Sequence, residues 1–175
     1  MEEAGFLKVI GLSYKNLFNF YGHQSRRTFV YFIVGCFIQV IFASALAVFV
    51  FHIKRFVSNP TLAILLTLLF GVILLAFSFA IILATFSSYV RRLHDMGYSG
   101  AFFPIVVAIT ALFVILGHNS VVLVTLGFTI SGLFTLILIL AQGQEEDNKY
   151  RTKDPFLVRP AFVEEIFKIE EEEEN

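Results

Sequence analysis

Residues 29–51 read FVYFIVGCFIQVIFASALAVFVF and contain no Asp, Glu, Lys, Arg or His. A helix that crosses the ~30 Å hydrocarbon core of a bilayer needs ~20 apolar residues, and this stretch is long enough. The chain of 175 residues is 57% hydrophobic and only 15% charged, which lies outside the usual composition of soluble domains. The stretch therefore predicts a membrane-spanning helix in an integral membrane protein.

Two further uncharged stretches follow. Residues 61–86 come after the turn signal Ser58-Asn59-Pro60. Residues 101–141 are too long for one crossing and contain the turn signal Gly117-His118-Asn119-Ser120 near their middle. We therefore predict an all-α polytopic membrane protein, a four-transmembrane-helix bundle formed by a single domain over residues 1–155. Its spans are expected at about 29–51, 61–86, 101–116 and 121–141.

The flanking segments have patterns of their own. Apolar residues recur every three or four positions from Leu7 to Tyr21, with Lys8 and Lys15 on the other side, which predicts an interfacial amphipathic helix at about 6–21. Residues 156–175 are expected to form a cytoplasmic tail with a short amphipathic segment and an acidic end. Such an end is typically solvated, and a docking site for a basic partner is the alternative.

The distribution of positive charge predicts the orientation. Placing the N-terminus inside puts eleven of the thirteen Lys and Arg residues on the cytoplasmic side and leaves only Lys54 and Arg55 outside. This is the asymmetry that the positive-inside rule favours. The first residues contain no short apolar core followed by a cleavage site, so no cleaved signal peptide is expected. Both termini are therefore predicted to be cytoplasmic.

The spans themselves contain little polar chemistry. Apart from Cys36 and Tyr31 they hold no ionisable residue, which argues against a proton relay or an ion path. Small or amide residues recur every four positions in the first span and predict a helix-packing face, with a substrate path along the amide as the alternative. The residues of this face are Gly35, Gln39, Ala43 and Ala47.

Polar residues gather in three segments that the predicted topology brings to the cytoplasmic surface, residues 22–27, 91–100 and 148–155. If the second helix continues past Phe86, the spacing of Arg91, His94, Asp95 and Tyr98 puts them on one face. Asp95 can then pair with Arg91, Arg92 or a neighbouring arginine. The predicted cluster consists of Arg26, Arg27, Arg91, Arg92, His94, Asp95, Tyr98, Asn148, Tyr150 and Asp154.

Metal binding and catalysis have weak support in the sequence. The single cysteine excludes an intrachain disulfide, and the four histidines fall on both sides of the membrane without ligand spacing. We predict no metal, no cofactor and no catalytic residue. Neighbours on a helix point ~100° apart, so His94 and Asp95 cannot form a dyad, and an enzyme would need His94 with Asp154.

The same three segments resemble the motifs of the domain of unknown function 805 family, small bacterial inner-membrane proteins. The matching residues are Gly22, Ser25-Arg26-Arg27 and Phe29, then the stretch from Arg91 to Gly100, then Asn148, Tyr150 and Asp154-Pro155. The resemblance runs from about Leu17 to Pro155. It implies an inner-membrane location and a four-span layout, and it implies no reaction.

The sequence is compatible with several functions. In one, the arginines anchor the chain to phospholipid phosphates while Asp95 and Asp154 neutralise buried arginines and pack the segments together. In another, the cluster binds an anionic lipid headgroup or a nucleotide, and the protein has an envelope-maintenance, lipid-handling or accessory role. A small transporter or channel subunit acting as an oligomer, and a membrane enzyme, are the alternatives. The expected partners are membrane lipids, with a homo-oligomer or a membrane partner protein open and no nucleic acid.

Overall fold

The computed structural model describes residues 2–150 and 154–158 of the chain. Five α-helices form most of this part, so the predicted all-α class is confirmed. The predicted amphipathic segment and acidic end of the tail lie outside the described residues. In chain order the elements are β1 (Glu2–Glu3), α1 (Phe6–Lys15), α2 (Arg26–Phe51), a 3-10 turn (Ile53–Arg55), α3 (Pro60–Asp95), α4 (Phe102–Leu116), α5 (Val121–Leu140) and β2 (Leu157–Val158).

The two longest helices begin at polar caps. Ser25 accepts a hydrogen bond from the backbone N–H of Thr28 at 3.3 Å, at the start of α2. Asn59 accepts one from the N–H of Leu62 at 3.1 Å, and Pro60 follows in the first turn of α3, where its missing N–H costs nothing. The sequence signals Ser25 and Asn59-Pro60 thus set both starting points.

Helix α3 is longer than a membrane crossing requires. Its 36 residues give a length of about 54 Å. It continues past Phe86 to Asp95 and ends where Gly97 takes a φ of 80°. The N–H groups of Gly97 and Tyr98 then bond the carbonyls of His94 and Leu93, which is the Schellman arrangement. The last turns of α3 therefore carry the polar motif on a rigid helix.

Helices α4 and α5 form an antiparallel hairpin that turns at residues 117–120. The backbones approach closely at Gly127, where an added Cβ would lie 2.9 Å from the Cβ of Phe113. A hydroxyl pair, Thr110 and Ser131, bridges the same two helices at 2.6 Å. Small residues and hydroxyl bridges are typical contacts between helices in lipid.

Three helices, α2, α3 and α5, are long and apolar enough to cross a membrane, and α4 is a shorter apolar helix. In the most apolar 18-residue window of α3 only 6% of the residues are buried inside the protein. Apolar side chains therefore face outward along most of these helices. Such a surface suits lipid as the solvent rather than water.

Helix α1 runs beside the first turns of α2 in the same chain direction. Phe6 packs edge-on against Tyr31, Ile10 fills the space beside Gly35, and Tyr14 donates to Gln39. The predicted helix-packing face is thus divided between two neighbours. In its first half, Gly35 and Gln39 contact α1. In its second half, Ala43 and Ala47 line a groove between α2 and α3.

The two ends of the described chain are joined by a short β ladder. Strands β1 and β2 are antiparallel, with Glu2 opposite Val158 and Glu3 opposite Leu157. The N–H of Ala4 extends the pairing by donating to the carbonyl of Phe156 at 2.9 Å. This ladder places the segment around Asp154 beside the N-terminal segment.

Candidate functional site

The start of α2, the end of α3, the start of α4 and the end of α5 meet at one end of the bundle. A buried apolar group with one or more residues from each helix joins them, formed by Phe29, Tyr89, Leu93, Phe103 and Leu138. Next to it lie the residues that we call the polar cluster. These are Arg91, Arg92, His94, Asp95, Asn148, Tyr150 and Asp154.

Arg92 ties the end of α3 to the end of α5. Its side chain is fully buried. Nε donates to the carbonyl of Leu138 at 2.9 Å, Nη2 donates to the carbonyl of Ala141 at 2.6 Å, and Nη1 forms an ion pair with Asp95. The last carbonyls of a helix have no partner within the helix and carry its negative dipole end. Arg92 supplies both the donors and the positive charge that α5 lacks there.

Asp95 and Asn148 hold the segment after α5 against the end of α3. The N–H of Gln144 donates to the carbonyl of Asp95 at 2.8 Å. Gly143 lies so close that an added Cβ would meet the Asp95 carboxylate at 2.5 Å. The amide of Asn148 donates to the carbonyls of His94 and Asp95 at 2.8 and 3.1 Å, and so satisfies the end of α3.

Arg91 ties the end of α3 to the N-terminal segment, as Arg92 ties it to α5. It is also fully buried, and its Nη1 donates to the carbonyls of Asn16 and Asn19. Its guanidinium carbon lies 5.3 Å from the ring centroid of Phe156, within the range of a cation–π contact. Its own carbonyl accepts from the N–H of Gln24 at 3.2 Å. Arg91 therefore joins three separate segments.

Buried donors outnumber acceptors around Arg91. In the described part of the chain, four buried side-chain nitrogens have no hydrogen-bond partner: Nε and Nη2 of Arg91, Nε2 of Gln24 and Nδ1 of His23. Such a surplus favours a negative group nearby. Asp154 supplies this charge, because its carboxylate stabilises the charged form of Arg91 and lies 4.0 Å from His23 Nε2.

Asp154 is itself held by the turn that it begins. Its Oδ1 accepts from the N–H of Phe156 at 2.8 Å, and its side chain is 4% exposed. Burial raises the pKa of the Asp154 carboxyl, and the Phe156 N–H and His23 oppose that rise. The carboxylate is thus a buried structural acceptor.

His94 contacts the segment before α2. Its Nδ1 is 3.1 Å from the carbonyl of Gly22, and because a carbonyl only accepts, Nδ1 carries the proton. Its ring stacks on Tyr150 with centroids 4.3 Å apart and planes 3° from parallel. Neither contact is with Asp154, the residue that an enzymatic mechanism would pair with His94. The histidine beside Asp154 is His23.

Arg26 and Arg27 lie outside the polar cluster, on the exposed start of α2. Arg27 donates from Nε to the Tyr31 hydroxyl at 3.2 Å and has Glu3 at 4.0 Å. Arg26 forms no hydrogen bond or ion pair with any residue that the structure describes, and its positive charge opposes that of the buried Arg92. The four arginines thus separate into a buried pair and an exposed pair.

Tyr98, another predicted site residue, also lies outside the polar cluster. It follows the end of α3, is 53% exposed and packs edge-on against Phe102. Conversely, the cluster uses Gln24, Ser88 and Gly143, which were not predicted. Ser88 donates to Gln24 Oε1 at 2.6 Å inside the protein. The position of Gln24 within the motif from Gly22 to Arg27 was the sequence feature that could have indicated its role in the site.

A scan against protein-family models matches residues 17–152 to the family described as Protein of unknown function (DUF805). The match covers well over half of the chain and includes every predicted cluster residue except Asp154. The resemblance noted from the motifs is therefore confirmed. Neither the curated proteins nor the solved structures contain a match to this chain.

Proposed function

Because this chain belongs to the DUF805 family, whose description assigns no reaction, we propose its function from the site itself. The protein is a four-span, non-catalytic protein of the bacterial inner membrane that binds anionic phospholipid headgroups at its cytoplasmic face through Arg26 and Arg27. The buried part of the polar cluster packs the cytoplasmic segments into the platform that presents these two arginines. An envelope-maintenance or accessory role fits this activity.

The four-span layout is supported by where the helix ends lie. Arg92 reaches the carbonyls of Leu138 and Ala141 at the end of α5, and Phe103 at the start of α4 packs on Tyr89 of α3. The hairpin of α4 and α5 thus leaves from and returns to the end where α3 finishes. With α2 and α3 crossing the bilayer, α4 and α5 complete two more crossings, and both chain ends lie on the side rich in Lys and Arg.

The observation that carries the proposal is the positive charge of Arg26 at the start of α2, which has no ion-pair partner among the residues that the structure describes, whereas Arg27 has Glu3 at 4.0 Å. The first turn of α2 holds Arg26 and Arg27 and no acidic residue. The N-terminus of a helix is already the positive end of its dipole, so these arginines are unfavourable there without an anion. Arg26 is also repelled by Arg92. A phosphate at this position would relieve both repulsions at once.

The buried arginines are assigned a structural role. All three nitrogens of the Arg92 guanidinium have partners, and the side chains of Arg91 and Arg92 are both fully buried. A headgroup could reach them only if the cluster opened. The exposed pair therefore binds lipid, and the buried pair keeps the platform folded.

The test compares the thermal stability of the purified chain with and without added lipid. Dioleoylphosphatidylglycerol, at about a hundredfold excess over its Kd, should raise the Tm by roughly 5–10 °C. Dioleoylphosphatidylcholine should raise it much less. Arg26→Ala should lose most of the difference between the two lipids.

Arg55→Ala is the matched control, because Arg55 is also an exposed arginine and lies in the 3-10 turn that follows the opposite end of α2. It should respond to phosphatidylglycerol as the unmodified chain does. If Arg26→Ala and the unmodified chain are stabilised equally by phosphatidylglycerol, the proposed headgroup site is wrong.

A further inference from the structure

A cleft of about 480 Å³ opens between α2, α3 and α5 in the part of the bundle next to the polar cluster. This volume is in the ~300–1,000 Å³ range of small-molecule sites. Gly132 widens the cleft, since an added Cβ there would have no atom within 4 Å. Its walls are formed by Ile33, Cys36, Phe37 and Val40 of α2, Thr85 and Tyr89 of α3, and Gly132, Thr135, Leu136 and Ile139 of α5.

The polar groups of these walls already have partners within the protein. The hydroxyl oxygens of Tyr89 and Thr135 are 2.9 Å apart, and Thr85 donates to the carbonyl of Ile81 at 2.8 Å. Cys36 is 3.8 Å from the Thr85 hydroxyl. The surface left for an occupant is therefore hydrocarbon, and the occupant that it suits is an apolar chain.

The cleft is also open sideways to the surroundings of the bundle. Phe37 is 68% exposed and Val40 is 51% exposed, although both line it. In a membrane these surroundings are the acyl chains of one leaflet. An apolar chain can thus enter without passing through water.

Arg26 lies on the same face of α2 as the cleft. Ile33, Phe37 and Val40 follow it at spacings of seven, eleven and fourteen residues, which return to one side of a helix. With a rise of ~1.5 Å per residue, the cleft extends from ~10 to ~21 Å below Arg26. A leaflet has ~15 Å of hydrocarbon beneath ~5–7 Å of headgroup. If Arg26 lies among the headgroups, the cleft therefore lies at the depth of the acyl chains.

We propose that this cleft is the acyl-chain site of one tightly held anionic phospholipid, whose phosphate binds Arg26 while a chain lies between α2, α3 and α5. The inference rests on the headgroup site proposed above and adds the chain to it. A helix from a second copy could fill the cleft, but residues 26–94 and 96–144 contain no acid to meet Arg26. A phospholipid supplies the anion and the hydrocarbon in one molecule.

The test separates the headgroup from the chain with two probes, dioleoylphosphatidylglycerol and the short-chain dihexanoylphosphatidylglycerol. Binding to the purified full chain is measured by native mass spectrometry. Gly132→Leu, which fills the cleft, should weaken binding of the dioleoyl lipid by about tenfold, the equivalent of roughly two buried methylene groups. It should leave the dihexanoyl lipid unaffected.

Gly71→Leu is the matched control. It adds the same side chain in α3, where a Cβ also has no atom within 4 Å, and Gly71 is not among the residues of the cleft. It should bind both probes as the unmodified chain does. Arg26→Ala should weaken both probes.

The outcomes separate the two proposals. If Gly132→Leu binds the dioleoyl lipid like the unmodified chain, the acyl-chain site is wrong while the headgroup site stands. If Arg26→Ala changes neither probe, the headgroup site is wrong. If Gly132→Leu instead converts a dimer to a monomer, as measured by light scattering, the cleft holds a second copy and the inference is overturned.

Discussion

Arg92 of α3 donates from Nε to the backbone carbonyl of Leu138 in α5 at 2.9 Å. Through this contact, an arginine from the motif between Arg91 and Gly100 joins the end of α3 to the end of α5. The partner is a main-chain oxygen near the end of a helix, where carbonyls lack partners of their own. The motif therefore has a structural task that can be measured apart from lipid binding.

Arg92→Lys should destabilise the protein although it keeps the charge. An ammonium cannot span Leu138, Ala141 and Asp95 as the planar guanidinium does, and breaking a buried pair of this kind costs about 3 kcal/mol. The Tm in mild detergent should fall by roughly 6–12 °C. Arg27→Lys, on the exposed start of α2, should change it by less than about 2 °C. Equal melting of the two variants would show that the Arg92 fork is dispensable.

Gly143→Ala should destabilise by displacing the Asp95 carboxylate. The added Cβ would lie 2.5 Å from Asp95 Oδ2, and the carboxylate is held by Arg92 and cannot move without loosening that pair. We expect a loss of about 2 kcal/mol in denaturant unfolding. Gly11→Ala is the control, because nothing lies within 4 Å of its Cβ and alanine favours the helix. A Gly143→Ala protein as stable as the control would refute the contact.

Sequence patterns predicted the helices more fully than their contacts. The uncharged stretches located the apolar helices, and the turn signals Ser58-Asn59-Pro60 and Gly117-His118-Asn119-Ser120 separated them, because these features depend on local chemistry. Most partners of Arg91 and Arg92 were not predictable, since four of their five hydrogen bonds go to backbone carbonyls, which every residue has. The fifth goes from Arg92 to the side chain of Asp95.

The contacts of the histidines were likewise not predictable from the sequence. The enzyme alternative required His94 to pair with Asp154, yet His23 is the histidine beside Asp154, and His94 stacks on Tyr150. The pairing depends on the β ladder between Glu2–Glu3 and Leu157–Val158, which brings distant segments together. Two-residue strands carry no periodic signal from which a sequence could predict them.

Asp154 should make stability depend on pH. Because burial raises its pKa, the native state binds this proton more tightly than the unfolded chain does. Its contribution to stability is therefore greatest below the ordinary aspartate pKa of about 4 and is lost as the pH rises through the raised value. The Tm of the unmodified chain should fall relative to that of Asp154→Asn as the pH rises above about 4.

Asp154→Ala is the companion variant. Asparagine keeps the oxygen that accepts from Phe156, whereas alanine loses it and should cost about 1 kcal/mol. A difference in Tm between the unmodified chain and Asp154→Asn that does not change with pH would contradict the raised pKa.

The proposed topology predicts which positions face outward. In a Cys36→Ser background, Ser58→Cys and Asn119→Cys should react with a membrane-impermeant maleimide on intact cells from which any outer barrier has been removed. Glu145→Cys should react only after the inner membrane is opened. If α4 did not cross the membrane, Glu145→Cys would be labelled on intact cells and Asn119→Cys would be protected.

We propose above that Arg26 and the cleft below it hold one anionic phospholipid. The most direct measurement is native mass spectrometry of the full chain purified from its own membrane in mild detergent. We predict that one anionic phospholipid stays bound per chain, and that the Arg26→Ala protein retains none while the Arg55→Ala protein does. Equal retention by the Arg26→Ala and unmodified proteins, or retention of zwitterionic lipid alone, would contradict the account.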